Sequence, residues 1–313
     1  MSRRIRWTLA GAGISGLVLT SGLFVTAGAH PVADPPPPRP SPVASKSSAP
    51  PSTSAPSSTQ ATTSTAPPPS PDEIATAVTN AVKAASPGTE VGFVIRDRDT
   101  GRTLAASGAD QPYYTASVVK LLIALDVAHS GGWHVPDAAT VADLTDMLAG
   151  SNDAIASQLW EEDGGGDIVT RMAELIGLTA TTPADDPGQW GMARTSPDDV
   201  ARVYDYLEDT VPHDVAQPVL TALAGARPTA DDGYQQYFGI PDGLPGSSWL
   251  VKQGWMILDS SLVLNTTGVV DGRYVVALLT EQPAGTADAT ARAALTAGIA
   301  AAAPAFTAPT PSN

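Results

Sequence analysis

The amino-acid sequence predicts an α+β fold: a five-stranded antiparallel sheet flanked by helices, with an all-helical subdomain inserted between the strands. Two strand-like runs come early, at residues 90–98 and 103–107. Three more lie near the C-terminus, at residues 248–258, 261–270 and 273–281, and helical patterns fill the region between. Strands at both ends with helices in the middle are typical of helices packed on an antiparallel sheet.

Local signals predict the first helices. Asp72 is expected to cap a helix that runs to residue 85. Residues 116–128 are apolar almost all round, which is the composition of a helix buried in a core. Residues 141–148 and 167–176 are expected to form two further helices, which belong to the inserted subdomain.

Capping and turn signals place the later elements. Ser196 is suited to the N-cap of a helix, with Pro197 at its first position. Asp271 and Gly272 form a dipeptide that favours a tight hairpin between the last two strands. The alanine-rich residues 287–302 then predict a closing helix.

The segments that flank this domain differ from it in composition. Residues 1–29 combine three early arginines, an apolar stretch and an A-x-A ending, so they are expected to be a secretory signal. Kept uncleaved, residues 7–26 would instead tether the protein to a membrane. Residues 30–71 are rich in Pro, Ser and Thr and are expected to be a disordered linker to a domain at 72–304. Residues 305–313 are expected to be a disordered tail.

Composition excludes several functions. The sequence has no cysteine, so neither a lipid anchor through cysteine nor a disulfide is expected. A net charge of -15 argues against nucleic-acid binding, which needs a basic surface. The four histidines lack metal-ligand spacing and no Gly-x-Ser-x-Gly motif is present, so no metal, cofactor or Ser-His-Asp triad is expected.

Ser117 and Lys120 provide the strongest functional signal. Three residues apart on a helix, they share a face and can touch. Lys120 is the single cation on an apolar helix, and burial lowers the pKa of a lysine towards the range in which its neutral amine accepts a proton. The pair therefore predicts a nucleophile and its base.

Two later motifs complete a recognisable order. Ser151-Asn152-Asp153 follows on a turn between helices, and Lys252-Gln253-Gly254 lies on a predicted strand. In this order the motifs resemble those of the penicillin-recognising serine hydrolases, which include class A β-lactamases and D-alanyl-D-alanine peptidases. The resemblance covers residues 73–304 and implies the β-lactamase/transpeptidase fold. The short spacing from Ser117 to Ser151 implies a trimmed helical subdomain.

The resemblance implies catalytic roles for four residues. Ser117 would attack a carbonyl, Lys120 would move its proton, Ser151 would act near the leaving group and Lys252 would hold the substrate carboxylate. The register of the second motif is open, because either Ser151 or Asn152 can be aligned with the family pattern.

Substrate-binding residues are implied in the same way. They are Asn152, Asp153, Gln253, Gly254 and Trp255, with the backbone N–H groups of Ser117 and Trp255 as the oxyanion hole. Gln253 stands where the family has a hydroxyl.

One family feature has no counterpart in the sequence. Class A β-lactamases carry a water-activating glutamate in the loop after the helix at 167–176, but no Glu occurs between Glu174 and Glu208. Asp185 and Asp186 are the candidates to replace it, and the alternative is that they belong to a solvated turn.

These observations predict a cell-envelope serine hydrolase of the β-lactamase or D-alanyl-D-alanine peptidase type that is a poor β-lactamase. Its expected partner is a peptidoglycan-type peptide or a β-lactam-like small molecule. The competing hypothesis is a catalytically impaired protein that uses the same fold to bind peptidoglycan or a partner. Either protein would be secreted or membrane-anchored, on the extracytoplasmic side of a bacterial envelope.

Overall fold

The central element is a five-stranded antiparallel sheet with the strand order β2-β1-β7-β6-β5. The structure, a computed structural model, describes residues 68–307. A two-stranded sheet pairs β3 with β4. The strands are β1 Glu90–Asp97, β2 Arg102–Ser107, β3 Tyr113–Tyr114, β4 Arg194–Thr195, β5 Trp249–Ile257, β6 Ser261–Val270 and β7 Tyr274–Pro283. The predicted fold class is therefore confirmed.

Helices cover both faces of the sheet. Two short 3₁₀ helices, Ala116–Val119 and Trp190–Met192, accompany the α-helices. The α-helices are α1 Pro71–Ala85, α2 Lys120–Ser130, α3 Ala138–Ala149, α4 Asp153–Glu162, α5 Gly166–Ile176, α6 Pro197–Asp209, α7 His213–Ala224, α8 Ile240–Gly243, α9 Asp288–Ala301 and α10 Pro304–Thr307.

The strand β1 shows how the core is divided. Phe93 and Ile95 face the layer of α1 and α9, whereas Val94, between them, belongs to the core of α2 and the helical subdomain. This alternation follows from the two-residue period of a strand. At Gly298 the helices α1 and α9 approach so closely that a Cβ atom would lie 2.6 Å from Val82.

The hairpin between β6 and β7 forms as its sequence predicts. Asp271 and Gly272 have φ angles of 51° and 65°, the left-handed values of the two central residues of a tight turn, which the Arg273 N–H closes by donating to the Val270 carbonyl at 3.0 Å. The two strands then pair in register from Val270 with Tyr274 to Ser261 with Pro283.

Three local predictions differ from the structure. Ser70, rather than Asp72, caps α1, because its side chain accepts from the N–H of Glu73 while Glu73 bonds back to Ser70. The helix predicted from residue 116 begins as a 3₁₀ turn before α2. Residues 305–307 are helical rather than part of a tail, and Phe306 packs edge-on against Tyr274.

The predictions for the signal or anchor and for most of the linker fall on residues 1–67, which lie outside the described residues, as do residues 308–313 of the tail. Within residues 68–307, every helix is too short or too polar to cross a membrane.

Candidate active site

The turn that carries Ser117 is fixed to the sheet. Ser117 lies in the 3₁₀ helix Ala116–Val119, next to the edge strand β5. The side-chain amide of Asn265, on β6, donates to the carbonyls of Tyr114 and Thr115 at 2.9 and 3.1 Å. Ser117 is buried, so its hydroxyl is presented from a rigid and largely dry position.

Lys120 is the centre of the site. Its side chain is fully buried, and its Nζ lies 3.1 Å from Ser117 Oγ and 3.2 Å from Ser151 Oγ. Nζ also donates to the Ser151 carbonyl at 2.7 Å and to Asp153 Oδ1 at 2.5 Å. Burial lowers the pKa of Lys120, against the opposing charge of Asp153. Lys120 is therefore placed to exchange protons with both serines.

Ser151 connects the two lysines. Its Oγ lies 3.2 Å from Lys120 Nζ and 2.9 Å from Lys252 Nζ. Both Ser151 and Ala116 adopt left-handed backbone conformations, with φ angles of 53° and 44°, which non-glycine residues hold only when their surroundings require it. We call Ser117, Lys120, Ser151 and Lys252 the serine–lysine cluster.

The second motif has its register set by this geometry. Ser151 points into the cluster, and Asp153 contacts Lys120. Asn152 instead caps α4, accepting from the Ile155 N–H at 3.0 Å, and donates to Asp231 at 2.8 Å. Asn152 therefore supports the turn through these two contacts, and the substrate-binding role expected of it stays a prediction.

Lys252 enters the cluster from β5. It is buried, and besides Ser151 it donates to the carbonyl of Gln253 at 3.0 Å. Burial lowers the pKa of Lys252 well below its ordinary range, and the charge of Lys120 lowers it further. The two amines cannot easily be charged together in this volume.

Gln253 lies differently from the prediction. Its Nε2 donates to the carbonyls of Gln236 and Phe238 at 3.0 and 2.7 Å, which holds the segment that precedes α8. Successive strand residues point to opposite faces, so Gln253 points away from the side that carries Lys252. This position does not favour the substrate-binding role predicted for it.

Gly254 and Trp255 lie beside the cluster. A Cβ atom on Gly254 would lie 2.7 Å from the Thr115 carbonyl, so the close approach of β5 to the Ser117 turn requires glycine. The Trp255 ring centroid lies 5.8 Å from Lys252 Nζ.

Comparisons with known proteins identify relatives of this chain. Residues 73–132 match the β-lactamase enzyme family. Over 247 residues the chain is 39% identical to LppW of Mycobacterium tuberculosis, which is named as a candidate lipoprotein. The alignment covers 75% of this chain and 77% of LppW. The chain belongs to the penicillin-recognising serine hydrolase family.

Solved structures agree on the fold. The β-lactamase from Streptosporangium roseum superposes with a TM-score of 0.60 at 17% identity and covers 75% of this chain and 98% of its own. The β-lactamase from Burkholderia vietnamiensis gives 0.60 at 19% identity, with 75% and 97% covered. PBP-A gives 0.56 at 16% identity, with 74% and 96% covered. At these identities the likeness establishes the fold alone.

Within residues 68–307, no carboxylate from the loop between α5 and α6 contacts Lys120. Asp185 and Asp186 are exposed, and Asp186 accepts from the Gly188 N–H at 3.0 Å, which closes a local turn. Trp190 approaches instead, with its ring centroid 5.0 Å from Lys120 Nζ. The positions of both aspartates agree with the solvated-turn alternative.

Sequence reasoning missed two carboxylates of this family member, Asp231 and Asp232. Asp232 accepts from Trp255 Nε1 at 2.9 Å, and Trp255 stacks on Tyr234 with ring centroids 4.7 Å apart. Asp231 pairs with Arg227 at 2.9 Å. The run of two aspartates before Gly233 was the available signal, because it marks a turn, but nothing in it indicates proximity to Lys252.

Proposed function

We propose that the protein is a serine hydrolase that transfers an acyl group through Ser117. The observation that carries the proposal is the position of Lys120 Nζ, which is buried and within hydrogen-bond distance of both Ser117 Oγ and Ser151 Oγ. A nucleophile in contact with a base, and a base in contact with a second hydroxyl, is the arrangement that acyl transfer requires.

In the proposed reaction, Ser117 Oγ bonds to the substrate carbonyl carbon while its proton passes to the neutral amine of Lys120. Lys120 returns a proton through the Ser151 hydroxyl to the leaving group as the bond between acyl and leaving group breaks. Water then attacks the acyl-enzyme, releasing the acid and restoring the Ser117 hydroxyl.

Other residues contribute binding and charge. Lys252 adds positive charge next to Ser151, where it would bind a carboxylate of the substrate. The N–H groups of Ser117 and Trp255 are proposed as the oxyanion hole, because the edge strand β5 runs beside the Ser117 turn. The proposed substrates are peptidoglycan-type peptides and β-lactam-like small molecules.

We place the protein at the cell envelope, secreted or membrane-anchored. The arginine-led apolar segment at residues 1–29 supports export. The relative LppW is named as a candidate lipoprotein, which supports an envelope location, although the present sequence has no cysteine to carry a lipid. The Pro-, Ser- and Thr-rich residues 30–71 would act as a spacer.

The direct test is labelling with a fluorescent penicillin. We expect one adduct per chain on Ser117, located by intact mass and peptide mapping. Ser117→Ala should abolish the adduct, whereas Ser157→Ala, which changes a serine outside the serine–lysine cluster, should keep it. An adduct on another residue, or labelling that survives Ser117→Ala, would contradict the assignment.

The second candidate is a binding protein that kept the fold without turnover. The ion pair between Lys120 and Asp153 favours it, because a lysine that a carboxylate holds in the ammonium form cannot accept the Ser117 proton. Under this alternative no adduct forms on Ser117, while Ser117→Ala binds peptidoglycan fragments as tightly as the parent protein does.

A further inference from the structure

Asp153 is the carboxylate in contact with Lys120 within the described part of the chain. Its Oδ1 lies 2.5 Å from Lys120 Nζ, which itself lies 3.1 Å from Ser117 Oγ. Because both contacts share one nitrogen, the carboxylate lies within about 5.6 Å of the attacking oxygen. The atoms that flank the carbonyl carbon of an acyl donor at Ser117 are therefore within reach of Asp153.

Asp153 is also open to a ligand. Its side chain is 43% exposed, whereas that of Lys120 is fully buried. Within residues 68–307, Lys120 is the one hydrogen-bond partner of its side chain. Asp153 is the first residue of α4, and the N-terminus of a helix stabilises a negative charge. A second carboxylate oxygen is therefore left for a donor from outside the protein.

The neighbouring carboxylates are already occupied. Asp231 accepts from Arg227 and Asn152. Asp232 accepts from Trp255 Nε1 and from a backbone N–H. Both add negative charge around Lys120, so this wall of the site attracts cations.

Lys252 faces the same volume from β5, and its amine lies 2.9 Å from Ser151 Oγ. Because the two amines are not easily charged together, Lys252 becomes the charged partner when Lys120 is neutral. A substrate with a carboxylate near Lys252 and a cation near Asp153 would satisfy both ends of the site.

The Asp153 carboxylate selects the kind of group that can lie next to it. An ionised carboxylate accepts hydrogen bonds and donates none, so it binds an ammonium or N–H group and repels a carbonyl oxygen. A neutral asparagine at this position would accept either kind of group. Asp153 thus discriminates between acyl donors by the group that they carry near the reacting carbonyl.

We propose that Asp153 selects acyl donors that carry an ammonium group close to the scissile carbonyl. The inference rests on the proposed function of Ser117 and names the substrate class for that site. A substrate ammonium that shares the carboxylate weakens its hold on Lys120, which assists loss of the Lys120 proton. Binding of the correct substrate and activation of the nucleophile are then coupled.

The experiment compares two penicillins that are identical except for a primary amine on the acyl side chain, at a pH at which the amine is protonated. The second-order acylation rate is measured by intact mass. We expect the parent protein to prefer the amine-bearing compound about tenfold, the value of one charge-assisted hydrogen bond. Asp153→Asn should bring the two rates together, mainly by accelerating acylation with the plain compound.

The control is Asp72→Asn, which makes the same change at an exposed position in the first turn of α1, on the layer of α1 and α9. It should keep the preference of the parent protein. A preference that survives Asp153→Asn, or that is lost in Asp72→Asn as well, would overturn the proposal.

A binding measurement separates this inference from the proposed function. Calorimetry on Ser117→Ala should show tighter binding of the amine-bearing penicillin, and Ser117→Ala combined with Asp153→Asn should not. If neither compound acylates the parent protein but the binding preference is present, the hydrolase proposal fails and the selectivity of Asp153 stands. Equal binding of the two compounds, or saturable binding of neither, would refute the selectivity.

Discussion

Within the serine–lysine cluster, Lys120 is approached by the other members of the cluster and by the loop between α5 and α6, which present different groups to it. The cluster supplies two hydroxyls and a second amine, all buried and hydrogen-bonded. The loop supplies the indole ring of Trp190, while its carboxylates, Asp185 and Asp186, face solvent. Under the proposed function, the groups that form the acyl-enzyme are in contact with one another, whereas within residues 68–307 no carboxylate of the loop lies beside Lys120 to activate water.

The largest effect is expected from removing the amine of Lys120, which both regions contact. Lys120→Met keeps a side chain of similar length without an amine, and we expect acylation by a fluorescent penicillin to slow by a factor of about 10² to 10⁴. The measurement is the second-order labelling rate, with circular dichroism to show that the variant is folded. A rate within about tenfold of the parent protein would mean that Lys120 is not the base.

The second prediction concerns the lifetime of the adduct. Misplacing a reacting group by about 1 Å can slow a reaction about 100-fold, and the loop offers no carboxylate closer than its exposed turn. We therefore expect the acyl-enzyme to persist for minutes or longer, as followed by intact mass after excess penicillin is removed. Hydrolysis of nitrocefin at tens of turnovers per second, the ordinary range of an efficient enzyme, would show that the loop does deliver water.

Lys252 should have a smaller effect, because its proposed role is to bind substrate rather than to move the Ser117 proton. For Lys252→Ala we expect at least about a tenfold loss of acylation rate, or about 1.4 kcal/mol of transition-state binding. Lys83→Ala, an exposed lysine in the last turn of α1, is the matched control and should leave the rate unchanged. Equal rates in the two variants would place Lys252 outside the reaction.

The smallest effect on chemistry is expected at Gln253. Gln253→Thr removes the two hydrogen bonds to the carbonyls of Gln236 and Phe238, so the free energy of unfolding should fall by about 1–3 kcal/mol. The labelling rate should stay close to that of the parent protein, because the side chain points away from Lys252. Denaturant unfolding and labelling are measured on the same sample. A large change in the labelling rate without a change in the free energy of unfolding would indicate that Gln253 contacts the substrate.

Most of the fold could be predicted because its signals are local. The hairpin at Asp271 and Gly272 needs a positive φ at both residues, and the Asp-Gly dipeptide predicts such a turn. The contact between Ser117 and Lys120 follows from their three-residue spacing, which brings the side chains together in the turn that opens α2.

The rest of the site depends on contacts between distant segments. The sequence could not decide whether Ser151 or Asn152 enters the site, because the left-handed backbone at Ser151 is imposed by packing and not by residue type. Asp232 lies near Trp255 only because two segments of the chain pack together. The orientation of Gln253, in contrast, follows from strand alternation, since Gln253 lies between Lys252 and Gly254 on a predicted strand and points to the opposite face from both.

The left-handed backbone of Ala116 sets a limit for anyone who wishes to make this scaffold more heat-resistant. Glycine relieves the strain of a left-handed position, which for other residues is about 1–2 kcal/mol, so Ala116→Gly would remove that strain. The same substitution would loosen the turn that aims Ser117. The strain at Ala116 therefore affects the melting temperature and the proposed acylation rate in opposite directions. Directed evolution for heat resistance alone would favour a more stable protein that acylates more slowly.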